Sequence, residues 1–72
     1  MGSFERHLLA EVGKEVKEKF PKLNLRKDVG VMHTFGNHFT VEVVLNGTRQ
    51  EFYVVANSKT EARAKGFEAL LK

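Results

Sequence analysis

Phe39-Thr40-Val41-Glu42-Val43-Val44-Leu45-Asn46-Gly47-Thr48-Arg49-Gln50-Glu51-Phe52-Tyr53-Val54-Val55 is the stretch that decides the fold. Phe39 to Val44 is rich in β-branched and aromatic residues, which suit a half-buried pleated strand. Asn46-Gly47 follows, and both residues tolerate φ > 0, the condition for a two-residue hairpin turn. Gln50 to Val55 then returns as the next strand. The Asn46-Gly47-Thr48 glycosylation pattern is read only as part of this turn. Downstream, Ala56-Asn57 leads into Ser58-Lys59-Thr60-Glu61-Ala62-Arg63. Ser58 and Glu61 have the spacing of a capping box, in which hydroxyl and carboxylate each accept from a free backbone N–H. A helix is therefore predicted from Lys59 to about Leu71.

Upstream, Phe4, Leu8, Val12, Val16 and Phe20 recur every four residues, and Leu9 widens the stripe. Charged residues fill the other faces, so this segment reads as an amphipathic helix. Pro21 stops it, because the residue before a proline disfavours the α region. From Leu23 to Asp28 the period changes to an alternation that predicts a strand. Val29 to His38, with Gly30 and Gly36, is read as holding a long loop. The order is α-β-β-β-α. The fold class is α+β, a three-stranded antiparallel sheet with both helices on one face, since no other apolar surface is available to them. The expected core takes in Phe39, Val41, Val43, Phe52, Val54, Ala62, Ala69 and Leu70 besides the first-helix stripe.

Seventy-two residues make one domain. Met1-Gly2-Ser3 reads as a leader left by recombinant expression, and residues 4–72 as the domain itself. There is no cysteine, so no disulfide or thiolate metal site is available. This fits a reducing, intracellular setting, nuclear or cytoplasmic. His7, His33 and His38 are far apart and show no ligand spacing, so no metal or other cofactor is expected. No apolar run approaches the roughly 18 residues of a membrane span. No nucleophile–base constellation or phosphate-binding glycine loop is present, and the expectation is a binding module, not an enzyme.

The formal charge of +3 is a mild excess, and the location of the charges says more than their sum. Lys59 and Arg63 are four residues apart at a helix start, where cations oppose the helix dipole. Their placement is unhelpful to stability, but it suits a phosphate held between them. The alternative is a solvated basic face paired with Glu61.

With these elements in order, the chain resembles the double-stranded RNA-binding domain family from about Glu5 to Leu71. Ser58-Lys59-Thr60-Glu61-Ala62-Arg63 is similar to that family's Ser-Lys-Lys-x-Ala-Lys signature. Leu8-Leu9-Ala10-Glu11 resembles its first-helix segment, and Pro21-Lys22-Leu23 the approach to its first strand. Gly30-Val31-Met32-His33 resembles its Gly-Pro-Pro-His loop, and Asn46-Gly47 its usual turn. The resemblance implies binding of duplex RNA by shape, across about 16 base pairs, without sequence preference. It implies three contact regions. In the first, Glu11 meets ribose hydroxyls from the first helix, with Arg6 and His7 near enough to touch the duplex. In the second, Gly30, Met32 and His33 reach the next minor groove from a loop. In the third, Lys59, Thr60 and Arg63 span the major groove between.

Several positions depart from the family pattern. Thr60 removes one lysine from the clamp, and Ala10 removes a polar side chain. Gly66-Phe67 replaces a pair of alanines, which predicts close approach to the first helix or a core repacked around Phe67. The loop from His33 to Phe39 reads as two residues longer than usual. Met32 and Phe35 have an alternative reading as caps on the core edge. The competing function is a degenerate member of the same fold that contacts a protein partner or dimerises. A DNA-binding or purely structural domain is less favoured, because no helix rich in Asn, Gln or Arg is visible to read base edges.

Overall fold

The apolar stripe folds as predicted. In the computed structural model, which describes residues 2–72 and the side chains from residue 6 onward, α1 spans Gly2–Lys19. Val12 and Val16 are buried, while Leu8, Leu9 and Phe20 pack against the core from its rim. Phe4 lies outside the residues whose side chains are described. Gly2 and Ser3, read from sequence as a leader, are part of the helix.

The next segment differs from the sequence expectation. Leu23 to Asp28 forms a turn, not a strand. Asn24 is the reason: its Oδ1 accepts from the backbone N–H groups of Arg26 (2.9 Å) and Lys27 (3.0 Å). Asp28 N also donates to Asn24 O at 2.8 Å. A short polar side chain that satisfies nearby backbone donors competes with a sheet ladder. The alternation of Leu23 and Leu25 arises because both plug the edge of the core, Leu23 buried and Leu25 half-buried.

The first strand, β1 (Val29–Phe35), occupies the region read as a loop. It pairs antiparallel with β2 (His38–Leu45), Val29 opposite Val43 and His33 opposite Phe39, with a bulge between His33 and Phe35. The connection is a tight turn at Gly36-Asn37, with Gly36 at φ +53°. β2 pairs in turn with β3 (Thr48–Val55) through the expected hairpin, where Asn46 has φ 51° and Gly47 φ 78°. The sheet order is β1-β2-β3.

The last element, α2 (Lys59–Leu71), is capped as read: Ser58 Oγ accepts from Glu61 N at 3.1 Å. The Glu61 carboxylate accepts from the N–H of Asn57, one residue ahead of the cap (2.6 Å). Helix α2 lies directly on the sheet, touching all three strands, and α1 packs alongside α2. The architecture is therefore the expected α-β-β-β-α arrangement. Phe67, Val16, Val41 and Val43 are the largest fully buried side chains. Phe39, Ala62 and Leu70 are buried with them, and Phe52, Val54 and Ala69 are half-buried.

Gly66 explains how α2 lies so close. A Cβ placed there would stand 2.5 Å from Val41 Cγ1 and 2.7 Å from Val41 Cβ. The close approach is thus to β2, not to the first helix. Val41 is fully buried and has nowhere to move. Gly66→Ala is expected to lower stability by about 1–3 kcal/mol through overpacking, although alanine is the better helix former. Urea denaturation checks this, and a Val41→Ala background should remove most of the loss. An alanine that stabilised the native background would mean that no such contact exists.

Candidate nucleic-acid interface

The two helices run parallel. Lys19 Nζ donates to Leu71 O at 3.2 Å near both C-termini, and a Cβ at Gly13 would stand 3.9 Å from Phe67 Cε2. The first turns of both helices therefore lie at one end of the domain. The sheet brings a third element there. Val55 pairs with His38, and Ala56 N donates to Asn37 O at 2.9 Å. The start of α2 thus sits beside the β1–β2 turn. Arg6, His7, Lys59, Thr60 and the hairpin gather at this end.

Within it the residues are not equally available. Arg6, His7 and Glu11 are exposed on α1, and His7 Nε2 lies 3.1 Å from Glu11 Oε1. The Glu11 carboxylate is thereby engaged within its own helix. Lys59 is exposed and Thr60 half-buried in the first turn of α2. Arg63 is half-buried, and its Nη1 donates to Leu25 O at 3.3 Å. It holds the turn after α1 in place, as does Lys17, whose Nζ donates to Leu23 O at 2.8 Å. Arg63 therefore is not the unattached clamp arm that its helix position implied.

The expectation for the loop histidine changes most. Gly30, Met32 and His33 lie in β1, paired with β2, and not in a projecting loop. The physical reason is in the sequence. Two prolines would remove backbone donors and bar pairing. Val31 and Met32 carry those donors, so the ladder runs on through them and the connection is only Gly36-Asn37. The longer loop expected from His33 to Phe39 is thus absent. His33 remains exposed at the sheet end, its ring 4.9 Å from that of Phe39 and its Nε2 2.7 Å from Gly36 O. Met32 and Phe35 are exposed, 53% and 69%, and neither caps the core edge.

A groove that the sequence did not reveal runs along α1. Leu9, Gly13, Leu25 and Phe67 floor a hollow of about 630 Å³, and Lys14, Lys17, Arg26 and Arg63 are the charged residues lining it. All four are cations, so the field there is positive and unopposed by any lining carboxylate. Lys14 and Arg26 are exposed. Helical spacing could have flagged Lys14 and Lys17 as neighbours of Gly13. The approach of Arg26 and Arg63 depends on a contact spanning 38 residues, which no local pattern encodes.

Among the described residues, no helix is long and apolar enough to cross a membrane. No family model matches the chain, and neither a curated protein nor a solved structure matches it.

Proposed function

We propose that this chain binds double-stranded RNA by shape and charge, as one module of a larger protein. The observation that carries the reading is the gathering of cations along two parallel helices. Arg6 and Lys59 stand at their shared N-terminal end, and Lys14, Lys17, Arg26 and Arg63 follow along the groove. Such a row suits a phosphate backbone, which positions a protein without reading sequence. Glu11, on the adjoining exposed face of α1, suits the 2′-hydroxyls of a wide, shallow minor groove. The resemblance to the double-stranded RNA-binding domain family points the same way, with the same α-β-β-β-α order.

The residue roles follow the geometry. Lys59, Lys14 and Arg26 supply charge to phosphates. Arg63 supplies charge while fixing the Leu23–Leu25 turn. His33 and Thr60 add polar contacts at the hairpin end. The short hairpin gives less reach into a second minor groove than a loop would, so the grip is moderate and salt-sensitive. That same short hairpin favours the second reading, a degenerate module whose role is contact with another protein. The test is a titration with duplex RNA and with duplex DNA of equal sequence, expected to favour RNA because ribose hydroxyls are part of the grip.

A further inference from the structure

We propose that the uncovered face of the sheet is a docking surface for a short basic segment of a partner protein, a cation flanked by apolar side chains. This is independent of RNA binding, since both helices lie on the opposite face. Strand register arranges the outer residues in rows. Phe35, His38 and Val55 form the first, Met32, Thr40 and Tyr53 the second, and Gly30, Glu42 and Glu51 the third. In the first two rows Tyr53 is 79% exposed, Phe35 69%, and Met32 and Val55 53% each. The Phe35 and His38 rings stack at 4.5 Å. Thr40, only 5% exposed, lies in a hollow of about 320 Å³ that Tyr53 and Phe35 also line.

Charge and area select the occupant. Glu42 and Glu51 face each other directly across β2 and β3, an arrangement that costs stability. Arg49 Nε, 3.5 Å from Glu42 Oε2, offsets one of them. Glu51 has no cation within ion-pair distance among the described residues. On a chain of net charge +3, the outer strand rows carry two carboxylates, Glu42 and Glu51, against one arginine, Arg49, while Lys65 reaches the edge only to donate to Val55 O. An incoming arginine or lysine would meet Glu51 and the π face of Tyr53 together. Gly30 leaves the flank of Glu42 open, with nothing within 4 Å of a Cβ there. A nucleic-acid strand would find aromatic rings to stack on but carboxylates beside them.

The area of the patch points the same way. Two rings, each of about 150–250 Å² when fully buried, with Met32 and Val55 give a patch on the order of 500 Å². That is the size of the largest apolar patch on a typical monomer, which is often functional, and it is short of the roughly 800 Å² per partner of a stable protein–protein interface. It suits a short segment better than a second copy of the chain.

The test uses the full chain, labelled for backbone amide NMR. The probes are a short synthetic peptide of arginine and leucine and its glutamate–leucine counterpart. The basic peptide should shift the amides of Phe35, Tyr53, Glu42 and Glu51 in a saturable way, while the acidic one should not. Tyr53→Ala and Glu51→Lys should each weaken binding about tenfold, with circular dichroism unchanged, because both side chains are exposed. Equal binding of both peptides, or shifts confined to the helices, would overturn the proposal. So would dimer formation through this face in sedimentation, or saturable binding of a single-stranded oligonucleotide there.

Discussion

Phe67→Ala is expected to lower the stability of the fold by about 3–5 kcal/mol, a large part of its total. Phe67, on α2, is 2% exposed and reaches α1 beside Gly13. Truncating such a ring costs about 3–5 kcal/mol in lost transfer energy and residual cavity. A chain of 72 residues, at roughly 0.05–0.15 kcal/mol per residue, holds only on the order of 4–11 kcal/mol in total. No disulfide supports the fold when the core is weakened. Phe67→Leu, which keeps most of the volume, should cost less than about 1.5 kcal/mol and remain folded. Urea denaturation followed by circular dichroism separates the two. An alanine variant with an unchanged midpoint would mean that Phe67 is not the centre of the core.

The second large effect concerns the groove. Reversing Lys14 and Arg26 to glutamate should weaken binding to duplex RNA on the order of a hundredfold at moderate salt. The slope of log affinity against log salt should fall by about two, one for each lost phosphate contact. Both side chains are exposed, so thermal stability should stay within about 0.5 kcal/mol of the parent. Arg63 is a poorer choice for this experiment, because its bond to Leu25 O makes loss of binding and loss of the turn hard to separate. Fluorescence anisotropy with a labelled duplex, beside a thermal melt, reads both quantities. Unchanged affinity in the double variant would move the interface off the groove.

Local chemistry made much of the fold legible. Asn46-Gly47 forms its turn because two adjacent residues accept φ > 0, and Ser58 caps α2 because its hydroxyl can reach a free N–H. The first-helix stripe is read from its period alone. The error in the first strand has a local cause as well. Leu23 and Leu25 alternate like strand residues, but Asn24 turns the chain with its own side chain. The true strand was obscured by Gly30, which stands on an open part of the sheet face, and by Gly36, which marks a turn and not a long loop.

The candidate site was legible only in part. Arg6, His7, Glu11 and Lys59 are exposed, and His7 lies beside Glu11 as their i,i+4 spacing suggests. Arg63 and Lys17 also tether backbone carbonyls, a role set by tertiary contacts and not by spacing. Arg26 enters the groove because the Asn24 turn delivers it there, and a strand at that position would have sent it elsewhere. Met32 and Phe35 were expected near RNA or the core edge. The pairing of β1 places them on the outer face instead.

The claim that the helical side grips duplex RNA meets its most direct test in one competition experiment. A labelled RNA duplex bound by the full chain is challenged, at moderate salt, with unlabelled duplex RNA or duplex DNA of the same sequence. The account predicts efficient displacement by RNA and weak displacement by DNA, because Glu11 contributes through 2′-hydroxyls that DNA lacks. Equal displacement by the two, or no binding of the RNA probe at all, would contradict it.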